Sequence, residues 1–142
     1  MPTVLFLCSG NYYRSRFAEI FFNWLAPQRE LDWRAESRGF RLSPANVGPI
    51  SRHAVEGLQA RGITIPEPDR CPRVVVEPDF EAFDLIIAVK EAEHRPKMLE
   101  KFPHWADGIE YWHIHDLDCA QPDEALVELE AKVRGLIERL RP

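Results

Sequence analysis

The chain has 142 residues, 45% of them apolar and 29% charged, with a formal charge of −5. Such a balance predicts one domain, residues 1–142, able to bury a core of its own, and excludes a disordered chain. The negative charge argues against a broad nucleic-acid surface, so any anion site has to be local.

Thr3 to Leu7 is a short run of strand formers, broken by Ser9-Gly10-Asn11, after which Phe17, Ile20, Phe21 and Trp24 recur at helical spacing until Pro27. This reads as strand, loop, helix. Asp32 to Ser37 predicts a second strand. Ser51 looks like an N-cap, with Ala54, Val55 and Leu58 forming a helical face and Gly62 the stop. Ile65 to Pro78 carries four prolines and predicts a surface connection. Phe83 to Val89 has the continuous hydrophobicity of a strand covered on both faces. A helix is expected over Glu91 to Lys101 despite Pro96, then a fourth strand over Ile109 to Ile114. After Pro122, the residues Leu126, Leu129, Val133, Leu136, Ile137 and Leu140 form the stripe of a last amphipathic helix. Strands alternating with helices predict an α/β fold, a three-layer α/β/α sandwich around a four-stranded parallel sheet. Ligands of such sheets bind beyond the carboxyl ends of the strands, which directs attention to the loop after the first strand.

That loop reads Cys8-Ser9-Gly10-Asn11-Tyr12-Tyr13-Arg14-Ser15. Wrapped around an anion, its backbone N–H groups would form a nest, with the positive end of the following helix aimed at the same point. Gly10 and Asn11 tolerate the left-handed backbone that so tight a wrap needs. The Arg14 fork suits two phosphate oxygens, and a cysteine at a helix N-terminus beside an arginine favours its nucleophilic thiolate. Ser15 is placed to donate to that sulfur. These residues predict a phosphomonoesterase working through a phosphocysteine, with Cys8 and Arg14 catalytic and Ser9, Gly10, Asn11, Tyr12, Tyr13 and Ser15 holding the substrate.

The loop, the chain length and the element order resemble those of the low-molecular-weight protein tyrosine phosphatases. Val4-Leu5-Phe6-Leu7-Cys8-Ser9-Gly10-Asn11, Arg14-Ser15 and Ala18-Glu19 look like that family's opening. Ser37-Arg38-Gly39, Asn46-Val47-Gly48-Pro49 and Phe83-Asp84-Leu85-Ile86 fall where comparable segments occur. The resemblance implies Cys8 as nucleophile, Arg14 as phosphate clamp, Asn11 as the residue shaping the loop, braced by Ser37, and Ser15 as thiolate stabiliser. It also implies a general acid after a Trp-containing strand, where Trp112-His113-Ile114-His115-Asp116 aligns best on Asp116, ahead of Asp118. The chain departs from the family in having Tyr13 where a second cysteine often stands, Arg16 where proline often follows, and no proline after the acid. Ala45, Leu117 and Asp118 occupy positions that carry aromatic walls in the family, with Tyr12 as a replacement wall. Arg16 reads as a rim charge or, more simply, a solvated helix residue.

Other readings stay open at this level. A binding module that keeps the cradle but lacks a competent acid is one. A thiol-dependent arsenate reductase is another, although Cys71 and Cys119 lie far apart in sequence. A metal site from His113, His115, Asp116, Asp118 and Cys119 is a third, set against the expectation of no metal and no cofactor. The three cysteines lack Cys-x-x-Cys spacing, which predicts reduced thiols. No signal-peptide pattern opens the chain, and its longest apolar runs are far shorter than a membrane span. The expectation is a cytoplasmic monomer with no membrane or nucleic-acid partner, acting on a phosphorylated protein or small phosphomonoester.

Overall fold

A computed structural model describes residues 1–116 and 121–142. Four parallel strands form the sheet: β1 (Thr3–Cys8), β2 (Arg34–Gly39), β3 (Leu85–Ala88) and β4 (Glu110–Tyr111), in the order β2-β1-β3-β4. β1 pairs with β2 from Thr3↔Arg34 to Cys8↔Gly39 and with β3 from Val4↔Leu85 to Leu7↔Ala88. The chain therefore leaves β1 toward one edge and later returns to its other side, so the loop after β1 opens at the reversal of strand order. This is the predicted α/β architecture.

Side chains of β1 alternate between two cores, as a strand covered on both faces requires. Val4, Phe6 and Cys8 join one core with α1 (Arg14–Leu25), α2 (Arg52–Ala60) and α5 (Pro122–Leu140). Leu5 and Leu7 join the other, with Phe40, Phe80, Met98 and Ala106 under α3 (Glu77–Ala82) and α4 (Glu91–Lys101). Phe17 and Phe21 of α1 stack at 5.7 Å beneath Leu126, Leu129 and Val133 of α5. Each such side chain contributes roughly 1.5–3 kcal/mol by leaving water, which locks α1, and the loop leading into it, onto the sheet.

Several elements differ from expectation. β2 begins and ends two residues later than predicted. The connection after α2 is not all loop: Val74 bridges to Gly39, and α3 follows, with Pro78 in its first turn and Asp79 Oδ2 accepting from Val76 N at 2.9 Å. The fourth strand shrinks to Glu110–Tyr111 because Trp112 O turns to accept from Glu91 N, and His113 bridges antiparallel to Lys90. α4 runs through Pro96 without interruption. Among the described residues no helix is long and apolar enough to cross a membrane.

Candidate active site

α1 starts against its own electrostatics. Its first turn holds Arg14 and Arg16, no acidic residue and no side-chain cap, the opposite of what the positive end of a helix dipole favours. The loop before it is held in place from behind. Asn11 sits in the left-handed region at φ 51°, fully buried, while Gly10, the other candidate for that conformation, does not adopt it. Gly10 matters for space instead: a Cβ there would meet Asn46 Nδ2 at 3.3 Å.

Asn11 Oδ1 accepts from Arg70 Nη1 at 2.7 Å and from the Arg73 backbone at 2.9 Å, which fixes the amide orientation. Its Nδ2 must then donate to Ser15 Oγ and Ser37 Oγ, both at 2.9 Å. Ser15 Oγ, already accepting from Asn11, keeps its own proton for Cys8 Sγ at 3.0 Å. Ser37 Oγ in turn donates to Glu19 Oε1. The predicted bracing of Asn11 by Ser37 is present in this chain of bonds.

Arg14, 2% exposed, is held by a carboxylate the sequence reading did not single out. Glu93 of α4 takes Nη1 at 3.0 Å and Nη2 at 3.1 Å, while Nη1 also donates to Ile114 O at 3.0 Å. Asp116 Oδ2 lies 3.4 Å from Nη2. Burial pushes the Glu93 carboxyl upward, but its bonds to Arg14 and Ser9 outweigh that and hold it well below the usual range. Ser9 Oγ donates to Glu93 and accepts from His94 Nε2 at 3.2 Å and Lys97 Nζ at 3.1 Å. Because His94 Nδ1 accepts from Lys90 N, its proton sits on Nε2, and burial followed by the charge of Arg14 keeps the ring neutral.

Cys8, Gly10, Tyr12, Tyr13, Arg14 and Asp116 line one pocket of about 200 Å3, together with Asn46 and Ser51. Ser9, Asn11 and Ser15 stand behind it, their side chains bracing the wall rather than forming it. Tyr12 arches over to Val47 O at 2.5 Å, while burial and then Asp116 push the Tyr13 phenol up to about 12.

The model of the low molecular weight phosphotyrosine protein phosphatases matches residues 3–141. The chain belongs to that family. It is 26% identical over 141 residues to the protein-arginine-phosphatase of Bacillus subtilis, covering 96% of this chain and 90% of that one. Over 98 residues it is 31% identical to the low molecular weight phosphotyrosine protein phosphatase of Gallus gallus, covering 67% of this chain and 59% of that one. The crystal structure of a low molecular weight protein tyrosine phosphatase from T. tengcongensis superposes with a TM-score of 0.81 at 29% identity, covering 99% of this chain and all of the other. This family member is accordingly a phosphatase.

Some residues of this phosphatase escaped the sequence reading. Glu93 lies in the segment expected to be a helix and Arg70 in the proline-bearing connection, and neither was singled out. Arg16 is no rim charge or solvated residue but 1% exposed. Trp112 packs in the core against Phe6 at 5.7 Å, while Tyr111 is half-buried against the other core with Arg95 over its ring. Asp118, the alternative acid, lies outside the described residues, as do Leu117 and Cys119. No three metal-ligating side chains gather among the described residues, and two members of the metal set weighed above, Asp118 and Cys119, are not among them.

Proposed function

We propose that residues 1–142 form one cytoplasmic, monomeric phosphatase domain that hydrolyses phosphoproteins, phosphotyrosine foremost, through Cys8. The observation that carries this is the convergence of Cys8 Sγ, Arg14 and Asp116 on one pocket, with Ser15 Oγ 3.0 Å from the sulfur. In this reading the thiolate attacks phosphorus in line, forming the S–P bond as the P–O bond to the leaving group breaks. Asp116 gives its proton to the departing oxygen. The backbone N–H groups of the loop hold the equatorial oxygens together with Arg14, whose guanidinium exchanges its bonds to Glu93 for the phosphate, and the open N-terminus of α1 supplies further positive potential. The released sulfur regains the Ser15 hydrogen bond when water, deprotonated by Asp116, hydrolyses the phosphocysteine. Ser9, Asn11 and Ser15 serve this chemistry by shaping the loop, and no metal or cofactor enters it.

A second substrate class, phosphoarginine, is favoured by two observations: the relative matching 96% of the chain bears that activity in its name, and polar Asn46, Ser51 and Asp116 line the pocket. Turnover of matched peptides carrying phosphotyrosine or phosphoarginine, by wild type, Cys8→Ser, Asp116→Ala and Asp118→Ala, tests the reading. The phosphotyrosine peptide is expected to give the larger kcat/KM, with Cys8→Ser inactive on both. A preference for the phosphoarginine peptide would replace the substrate assignment and leave the mechanism standing.

A further inference from the structure

Arg14 is crowded with negative charge before any substrate arrives. Its guanidinium meets both oxygens of Glu93 and the carbonyl of Ile114, and Asp116 Oδ2 lies 3.4 Å from Nη2. The Glu93 carboxyl, held well below its usual range, is charged at neutral pH. A phosphoryl group docking on the same cation brings about two more negative charges, and like charges this close repel strongly where water is scarce. One resident anion has to yield. Glu93 is the one bonded to both Nη groups, the fork that suits two phosphate oxygens. It lines no part of the catalytic pocket, so a fork turned to Glu93 is withheld from a phosphate there.

A second cation stands ready for that carboxylate. Lys97 follows Glu93 by four positions in α4, on the same helical face and in the order that favours a glutamate–lysine pair. Its Nζ reaches Ser9 Oγ at 3.1 Å, with no carboxylate within 4 Å among the described residues. Ser9 Oγ itself donates to Glu93 Oε1, so one hydroxyl separates the carboxylate from the ammonium. His94 Nε2 lies 3.2 Å from the same hydroxyl and 3.8 Å from Glu93 Oε1, but burial keeps that ring neutral and it cannot replace the lysine. With its side chain 27% exposed against 2% for Arg14, Glu93 is the partner with room to move.

We propose that Glu93 is a substrate-displaced latch: it occupies the Arg14 fork while the pocket is empty, and an entering oxyanion passes it across Ser9 to Lys97. The exchange replaces the Arg14–Glu93 pair by Arg14–phosphate and Lys97–Glu93 pairs, so no charge in the cluster is left alone. Glu93 and Lys97 are in this sense positioning residues that act through Arg14. The inference rests on the oxyanion site of the phosphatase reading and not on turnover.

The test is the affinity for inorganic phosphate, read by NMR titration of the intact protein, for wild type, Glu93→Asp, Glu93→Gln, Lys97→Met and the double variant Glu93→Gln/Lys97→Met. Glu93→Asp keeps the charge on a side chain one methylene too short to span both Nη groups, which separates a latch from a general field effect. Both Glu93 variants should bind phosphate about fivefold to tenfold more tightly. A brace that merely holds Arg14 in place would give the opposite sign. Lys97→Met should weaken binding by about fivefold when Glu93 is present and by less than about twofold when it is already glutamine. Unchanged or weaker binding in Glu93→Asp, no loss in Lys97→Met, or an equal loss from Lys97→Met in both backgrounds would each overturn the proposal. Because the titration involves no turnover, a wild type that binds phosphate yet hydrolyses no ester would remove the phosphatase reading and leave the latch standing. Ester hydrolysis by wild type alongside variants of unchanged phosphate affinity would do the reverse.

Discussion

Replacing Gly39 by alanine probes how the catalytic loop is held. A methyl at that position would come within 2.7 Å of the Asn11 nitrogen, 2.8 Å of the Gly10 carbonyl carbon and 2.9 Å of the Ser9 oxygen. All three are backbone atoms of the loop, so no side chain can swing aside. Gly39 cannot retreat either, because its N–H donates to Arg73 O and its oxygen accepts from Val75 N, both at 2.8 Å. Ordinary contact begins near 3.4 Å, which asks the loop to move by roughly 0.5–0.7 Å. Overpacking of this kind costs about 1–3 kcal/mol, or roughly 3–10 °C in Tm for a chain of this length. Misplacing the anion-binding loop by that distance should lower kcat for p-nitrophenyl phosphate by roughly tenfold to a hundredfold. Gly135→Ala in α5, where an added Cβ meets nothing within 4 Å, is the control: stability should rise by about 0.5–1 kcal/mol with kcat unchanged. Wild-type kcat and Tm in Gly39→Ala would refute the argument that this strand end positions the loop.

Three further outcomes follow from the site. Asp116→Ala should lose roughly a hundredfold to ten-thousandfold in kcat, with a smaller loss for aryl phosphates whose leaving group needs no proton. Asn11→Ala removes four hydrogen bonds and a tolerant left-handed residue, so chemical denaturation should show a loss of about 2–4 kcal/mol alongside lost activity. Burial holds the folded pKa of His94 below its ordinary 6.5, so the unfolded chain binds the extra proton and stability falls as pH drops through that value. The unfolding free energy from denaturant titrations should therefore fall by up to about 1.4 kcal/mol per pH unit as pH drops from 7.5 to 5, and His94→Phe should flatten that slope.

The proposed catalytic loop was legible because its chemistry is local: the residues proposed as nucleophile, clamp and thiolate partner fall within Cys8–Ser15, at the strand-to-helix junction that the hydrophobic pattern already marks. The layered fold was legible for a similar reason, since β1 and β3 carry uninterrupted apolar runs and α5 a clear stripe. What holds the loop was not. Glu93 reaches Arg14 across 79 positions and Arg70 reaches Asn11 across 59, and neither residue type carries any mark of its partner. Gly39 was visible as part of a segment, but its need for hydrogen in place of a side chain arises only from the register that sets it beside the loop. Arg16 read as a surface charge because nothing in the surrounding sequence shows that its guanidinium is buried beside Glu19. The short α3 was hidden in a proline-bearing stretch, where Pro78 serves a first helical turn instead of breaking one.

The most direct measurement is mass spectrometry of enzyme quenched in acid during turnover of an aryl phosphate, with peptide mapping of the modified site. The account predicts one phosphoryl group on Cys8, absent from Cys8→Ala, which has no turnover. A phosphoryl group on any other residue, or undiminished hydrolysis by Cys8→Ala, would contradict it.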